Sequence, residues 1–365
     1  MAKNTVLVAG ASGLVGYAAV RHFSSLPDWD VVAVSRRAPH SQDGVRFVSV
    51  DLTDATRCTE VFGQMREVTH VVYAAVNEKP GLIEGWVDPQ QMQTNRSMLV
   101  NLFEPLEAVA ANLEHVSVLQ GTKAYGAHIE AFPVPARERW PRHPHENFYW
   151  LHEDYIKDKQ HGKAWHWSIW RPQLIFGEAI GSNLNVITPL GVYAALLKEQ
   201  GQPLAYPGGA PYVFEAIDVD VLAHALEWAA EADASHNEIF NITNGDVYVW
   251  ENVWPVLAEA FGMEVGPPQP CSMVEELPKR QDEWAAIVNK YNLTAPADVR
   301  EFVGESAALA DFSLAYGRNE PPPSMLVSTI KLRQAGFHEC MDTEDMFRKW
   351  IKRFQELRWL PPLGV

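Results

Sequence analysis

The chain has 365 residues, 47% of them hydrophobic, and a net charge of −16 from 30 basic and 46 acidic residues. That length and apolar fraction fit a globular protein with a sizeable core. The acidic balance argues against nucleic acid or an anionic membrane as partner, while leaving room for a local phosphate pocket.

The cysteines, Cys58, Cys271 and Cys340, are far apart and form no C-x-x-C. A reducing, cytoplasmic setting without structural zinc is the expectation. No signal peptide precedes the first apolar run, and no run approaches membrane-spanning length. The sequons at Asn95, Asn241 and Asn292 are therefore not expected to carry glycans.

Residues 5–9 are a short apolar strand. They lead into Gly10-Ala-Ser12-Gly13-Leu14-Val15-Gly16 and then an apolar-striped helix. A second strand, residues 30–35, ends in Ser35-Arg36-Arg37. Glycines let a backbone turn sharply and approach a pyrophosphate, and the helix N-terminus offers free N–H groups and a positive dipole end. An acid at the end of the second strand would bind a ribose 2′-hydroxyl, whereas arginine suits a 2′-phosphate, so NADPH is preferred to NADH. The spacing is Gly-x-x-Gly-x-x-Gly, and its strand–turn–helix context is what gives it weight.

Residues 45–50 form a third strand, followed by Asp51 and Leu52. An Asp there can face the adenine, and Asp54 can cap the next helix. Residues 69–75 are a fourth strand ending in Ala74 and Ala75, small enough for backbone to lie against a dinucleotide. Residues 88–113 read as a long helix with a Met/Leu stripe, a core face or a dimer face. Residues 116–120 are a fifth strand running into Gly121-Thr122-Lys123-Ala124-Tyr125. Residues 127–146 are a proline-rich loop with His143 and His145, which lack a third metal ligand at suitable spacing. Asn147 opens a helix to about residue 159, and residues 165–170 are a sixth strand.

Alternating strands and helices predict an α/β fold: a Rossmann-type, doubly wound parallel sheet over residues 1–177, with a later return near residues 217–246. Residues 178–365 read as a smaller, mainly helical substrate-binding region. Helices are expected over residues 186–199, 219–231, 250–261, 272–291, 295–302 and 343–357. Residues 203–211 read as a loop and 238–243 as one more strand of the main sheet.

Eight stretches resemble a known family. They are Gly10–Gly16, Ser35–Arg37, residues 69–73, Asn95-Arg-Ser-Met-Leu-Val-Asn101 and Gly121-Thr-Lys-Ala-Tyr125. Further on come Asn147-Phe-Tyr-Trp-Leu-His-Glu-Asp154, Trp170-Arg-Pro-Gln-Leu-Ile-Phe-Gly177 and Asn241-Ile-Thr-Asn-Gly-Asp246. In order and detail they resemble the progesterone 5β-reductase/iridoid synthase-like (PRISE) enone reductases, an atypical branch of the extended short-chain dehydrogenases. The resemblance implies Lys123 and Tyr149 as the catalytic pair. It implies NADPH as cofactor, with contacts spread over Gly10, Ser12, Gly13, Leu14, Val15 and Gly16, then Ser35, Arg36, Arg37, Asp51 and Leu52. Later in the chain it adds Ala74, Ala75, Val76, Gln120, Lys123, Tyr149, Pro172, Ile175, Ser182, Asn183 and Leu184. It also implies a 1,4-reduction of a small apolar enone or enal.

The family motif has His after the lysine, where this chain has Ala124. It often has a second Tyr after the tyrosine, where this chain has Trp150. The connection from Lys123 to Tyr149 is also shorter. These departures bear on substrate identity. Tyr155-Ile-Lys-Asp-Lys159 is a competing pair with the ordinary dehydrogenase spacing, set about two turns into its helix. The alternatives to an enone reductase are a ketone or aldehyde reductase, a sugar-nucleotide epimerase on the same scaffold, and a non-catalytic NADPH sensor.

Overall fold

The computed structural model describes residues 3–38, 44–79, 85–182 and 184–363. The chain folds into two compact units: Met1–Gln173, Val219–Ile242 and Val327–Glu339 form the first, and Leu174–Asp218, Thr243–Leu326 and Cys340–Val365 the second.

The first unit is built on seven parallel strands in the order β10-β6-β5-β4-β1-β2-β3. They are β1 (Asn4–Ala9), β2 (Trp29–Ser35), β3 (Val45–Ser49), β4 (His70–Tyr73), β5 (His115–Leu119), β6 (His166–Pro172) and β10 (Glu238–Ile242). The order reverses where β1 pairs with both β2 and β4, so the crevice at their carboxyl ends is the topological switch point. Strands buried on both faces read as continuous apolar runs, which is why residues 5–9 and 30–35 were legible.

Helices α1 (Leu14–Ser24), α2 (Ala55–Phe62), α3 (Pro89–Glu107) and α4 (Phe148–Gln160) belong to this unit. Asp54 caps α2 by accepting from Arg57 N at 2.9 Å, and Asn147 caps α4 by accepting from Tyr149 N at 3.0 Å. The Met/Leu stripe of α3 (Met98, Leu99, Leu102, Leu106) is buried in the core against β4, β5 and α4 residues. Helix α3 stops at Glu107 and not near residue 113; turns occupy residues 108–112. Helix α6 (Val219–Glu231) returns to this unit through Asp220, which pairs with Arg21, and Glu227, 2.5 Å from His22. Residues 327–339, with the short helix α12 (Ile330–Gln334), also return: Lys331 Nζ donates to Glu238 at 2.5 Å beside β10.

The second unit contains a parallel pair, β7 (Leu174–Phe176) with β9 (Ala216–Asp218), and an antiparallel pair, β8 (Val213–Phe214) with β11 (Tyr248–Val249). Helix α5 (Ile187–Glu199) is buried all round over residues 187–197 and is central to this unit. The expected helix over residues 272–291 is two helices, α8 (Met273–Lys279) and α9 (Gln281–Lys290). Pro278 has no amide to donate within α8, and the backbone departs from helical geometry at Arg280 (φ −100°, ψ 22°). The helix expected over residues 295–302 is the shorter α10 (Val299–Val303), capped by Asp298 and preceded by Pro296. Helices α7 (Trp250–Phe261), α11 (Ser306–Ser313) and α13 (Thr343–Glu356) complete the unit. In α13, Phe347 packs 5.1 Å from Phe176 and 5.3 Å from Trp250, and Lys349 pairs with buried Asp218 at 2.9 Å.

A row of histidines crosses the amino end of the sheet. His70, His115 and His166 sit in register on β4, β5 and β6, and His236 stacks on His166 at 3.7 Å. His70 and His115 are buried. Burial lowers His70 to about 4, against a hydrogen bond with the Ala230 backbone. Burial lowers His115 to about 3, helped by its histidine neighbours. A histidine held neutral in the folded state contributes stability above its unfolded pKa and loses it as pH falls below about 6.5. Denaturant titrations at pH 7.5 and pH 5 should therefore show a loss of about 2 kcal/mol per buried histidine, and His115→Phe should flatten that dependence.

Candidate functional site

Gly10 turns out of β1 with φ +83°, and a Cβ there would lie 2.7 Å from Ala74 O at the end of β4. A Cβ on Gly16 would lie 2.1 Å from Gly10 O, so α1 packs directly on the turn. No described side chain caps the first turn of α1, and no acid lies in it. The helix N-terminus is thus open to an anion. Gly13 is exposed, Ser12 and Val15 are half-buried, and Leu14 is buried. Ala74 and Ala75 are half-buried beside Gly10, and Val76 is 42% exposed.

At the end of β2, Ser35 Oγ donates to Arg37 O at 2.5 Å and Ser49 Oγ to Arg36 O at 3.1 Å, while both arginine side chains face solvent. Asp51 Oδ1 accepts from Thr53 N at 2.9 Å and Thr53 Oγ1 at 2.7 Å. These bonds, with Arg36 nearby, lower its pKa. Leu52 is buried, and its carbonyl accepts from Asn101 Nδ2 at 2.9 Å.

Beyond β5 the chain makes a 3-10 turn, Thr122–Tyr125, which carries Lys123. The Lys123 ammonium lies 4.3 Å from the centroid of the Trp86 ring, 5.4 Å from that of Tyr149 and 5.6 Å from that of Phe148. Burial among these rings lowers Lys123 to about 8, against the attraction of Glu78. Lys123 and Tyr149, separated by 26 positions, are thus brought together. The Tyr149 hydroxyl makes no hydrogen bond with the described residues, and a Cβ on Gly121 would lie 3.3 Å from it and 3.6 Å from Pro172 O. Burial raises the Tyr149 pKa well above its ordinary value, Glu78 adds to this, and Arg171 opposes it. The phenol is therefore a proton-bearing donor at neutral pH, and the cation that eases its ionisation is Arg171.

Gln120 is buried, and its side chain serves Tyr149 from behind. Gln120 Nε2 donates to Tyr149 O at 3.3 Å and to Glu153 Oε2 at 3.1 Å, and Gln120 Oε1 accepts from Arg171 Nε at 2.9 Å. Glu153 is the helix residue four after Tyr149. Against burial, which alone would raise it, hydrogen bonds from Lys157 and Arg142 hold its carboxyl down at about 2. Glu153 and Arg171 are both nearly inaccessible, at 3% and 4%. Arg171 and Glu153 stand inside sequence motifs that assign them no role. An arginine between Trp170 and Pro172 in a buried strand is the signal that marks such a network.

Tyr155 and Lys159 are committed elsewhere. Tyr155 Oη donates to Glu104 of α3 at 3.0 Å, and Lys159 Nζ reaches the same carboxylate at 2.9 Å. This pair braces α4 on α3. In the proline-rich loop, His143 and His145 bond each other through their Nδ1 atoms at 2.8 Å, and His143 Nε2 meets Glu130 at 3.0 Å. Among the described residues no group of three or more His, Cys, Asp or Glu could hold a metal ion. No described helix is long and apolar enough to cross a membrane. Ile175, Ser182 and Leu184 lie in the second unit, where Ser182 Oγ accepts from Leu184 N at 3.2 Å; Asn183 lies outside the described residues.

Residues 51–307 match the family of PRISE-like Rossmann-fold domains. The chain belongs to this family. It is 30% identical to (S)-8-oxocitronellyl enol synthase of Antirrhinum majus, with 98% of this chain and 93% of that protein covered. It is 28% identical to 3-oxo-Delta(4,5)-steroid 5-beta-reductase of Arabidopsis thaliana, over 98% and 94%. Among solved structures, it is similar to UDP-N-acetylglucosamine 4-epimerase from Methanobrevibacter ruminantium M1: TM-score 0.66, 16% identity, 98% of this chain and 99% of that one. WbmH of Bordetella bronchiseptica, solved with NAD+, aligns with TM-score 0.61 and 15% identity over 97% and 99%. These structural likenesses show a Rossmann-type α/β fold.

Two variants separate the pairs. Glu153→Gln leaves buried Arg171 without its counter-charge and should cost about 3 kcal/mol in a denaturant titration. Tyr155→Phe removes only the hydroxyl that braces α4 on Glu104 of α3 and should cost about 1 kcal/mol in the same titration.

Proposed function

We propose that this protein is an NADPH-dependent reductase of the C=C bond of α,β-unsaturated carbonyls, with Tyr149 and Lys123 as its catalytic pair. The observation that carries the reading is the convergence of a desolvated lysine with a proton-bearing tyrosine whose hydroxyl has no hydrogen-bond partner among the described residues, in a family whose relatives include a steroid 5-beta-reductase.

The residues at the switch point fit a dinucleotide. Gly10 and Gly16 let the turn pack on Ala74 and α1 pack on the turn, and a pyrophosphate would sit at the open end of α1 beside exposed Gly13, with Ser12, Leu14 and Val15 in the same turn. Arg36 and Arg37, exposed after β2 with Ser35 ordering the bend, would hold a 2′-phosphate. Asp51 and Leu52 would flank the adenine. Ala74, Ala75 and Val76 would lie along the dinucleotide, with Gln120, Pro172, Ile175, Ser182, Asn183 and Leu184 as further contacts by family inference. NADPH, when bound, supplies the hydride that reaches the β-carbon of the substrate.

The chain's own residues handle the charge that follows. The Tyr149 hydroxyl donates to the carbonyl oxygen as negative charge builds there, an interaction that strengthens in the transition state. Lys123 supplies a positive charge in a low-dielectric setting, where it counts for more than in water. Burial, with Glu78 adding to it, keeps the Tyr149 hydroxyl protonated at neutral pH. The substrate is a small apolar enone or enal. An aromatic surround of Trp86, Phe148 and Tyr149 favours it over a nucleotide sugar, which would want additional cations.

The test is oxidation of NADPH, then NADH, with 2-cyclohexen-1-one and with progesterone, and identification of the product. A saturated ketone made with NADPH supports the reading; an allylic alcohol moves the protein to the carbonyl reductases; nicotinamide binding without turnover makes it a sensor. Tyr149→Phe should lower kcat/KM by about 10²–10⁴. Because Lys123 is cationic below its pKa of about 8, kcat/KM should fall as pH rises through that value, and Lys123→Met should abolish the fall.

A further inference from the structure

A cavity of about 390 Å³ opens on the first unit beside the edge strand β10. It is bounded by the turn at residues 137–140, Lys157 of α4, Trp167 of β6 and Lys331 of α12. Four cations line it, Arg137, Arg139, Lys157 and Lys331, in a chain whose net charge is −16. Two of them are committed to carboxylates. Lys331 Nζ donates to Glu238 at 2.5 Å and to Ile239 O at 2.8 Å, and Lys157 Nζ donates to Glu153 at 2.7 Å. The other acid in the wall, Glu138, turns to the edge of the sheet: its Oε1 accepts from Asn241 N at 2.9 Å, and burial raises its pKa.

Arg137 and Arg139 are left over. Arg137 donates to the Ser328 hydroxyl at 3.2 Å and pairs with no carboxylate among the described residues; Arg139 is exposed and has no side-chain partner among them. Two guanidiniums in one turn, facing a cavity without counter-ions, suit an anionic group, because each presents a planar fork of donors that matches carboxylate or phosphate. A water's share of liquid volume is about 30 Å³, so the space exceeds what one inorganic ion fills. Ile239 and Ile330 give part of its wall an apolar character suited to a carbon skeleton.

The cavity also touches the network that holds Tyr149. Lys157 is one turn after Glu153 on α4, and its ammonium lies 5.1 Å from the centroid of the Trp167 ring in the cavity wall. Glu153 is tied to Tyr149 O through Gln120 and lies 3.5 Å from Arg171. An anion that draws Lys157 into the cavity leaves Glu153 to Arg142 and Arg171. Arg171 is the cation that eases ionisation of the Tyr149 phenol, so a carboxylate turned more fully on it weakens Tyr149 as a donor.

We propose that this cavity is a regulatory site for a small organic anion carrying two or more carboxylate or phosphate groups, held by Arg137 and Arg139, whose binding draws Lys157 from Glu153 and slows the reaction at Tyr149. The binding half stands on the cavity alone; the rate half rests on the enone-reductase reading.

The experiment titrates citrate, fructose 1,6-bisphosphate and inorganic phosphate into the protein by calorimetry, with excess NADPH occupying the dinucleotide site. One of the two organic anions should bind at least tenfold more tightly than inorganic phosphate; citrate marks a polycarboxylate site and the bisphosphate a phosphate-ester site. Arg139→Gln, at an exposed position, should weaken that binding about fivefold, and Arg137→Gln with Arg139→Gln about tenfold or more. At saturation the anion should lower kcat for 2-cyclohexen-1-one by about twofold or more, and Lys157→Met should abolish that response while still binding the anion. No binding, equal binding of inorganic phosphate, or binding unchanged in the double variant overturns the site. Binding that leaves kcat unchanged overturns its coupling to Tyr149. A protein that binds the anion through the two arginines yet reduces no enone overturns the enone reading and leaves the site standing.

Discussion

The site depends on a buried charge pair that the fold has to neutralise. Arg171 leaves β6 into the interior, and Glu153 comes down from α4 to meet it at 3.5 Å, with Gln120 bridging the two. Neither charge could stay buried alone. Their mutual need fixes the height and rotation of α4 over the end of the sheet, and Tyr149, one turn earlier on α4, inherits that position through the Gln120 bond to its carbonyl. An ordinary dehydrogenase places a lysine where this chain has Glu153. Here the position carries the acid of a structural pair, and the lysine of the proposed catalytic pair arrives from the other side, on the turn after β5.

The origin of Lys123 has a consequence for its protonation. Its ammonium is cradled by three aromatic faces and draws charge stabilisation from the rings. Rings hold a cation in place but replace its hydration poorly, so the pKa falls to about 8. A strong ion pair would have pinned the proton and quenched the field of the lysine at the substrate. Glu78 supplies enough opposing charge to keep the ammonium populated near neutrality.

Much of this was legible in the sequence. The glycine turn, the parallel strands and the return of residues 238–243 to the sheet follow from period, punctuation and short apolar runs, which are local properties. The roles of Glu153 and Gln120 were not, because each looks like a surface residue until the topology buries it beside Arg171, whose place in an apolar strand is the one local signal of the network. The break at Arg280 was missed because apolar period continues across it while Pro278 removes a backbone donor. Residues 327–339 carry too few apolar repeats to announce that they belong with β10. Trp86 lay in a stretch with no period at all, and only its contact with Lys123 gives it meaning.

The departures from the family motif converge on one volume. By the family resemblance, Ala124 stands where a histidine usually follows the lysine, and Trp150 where a second tyrosine often stands. Trp150 spends its indole N–H on His145 O at 3.1 Å, and its ring lies under Arg142 at 4.9 Å and within 5.7 Å of Arg171. It therefore belongs to the neutralising network and leaves the substrate side to other groups.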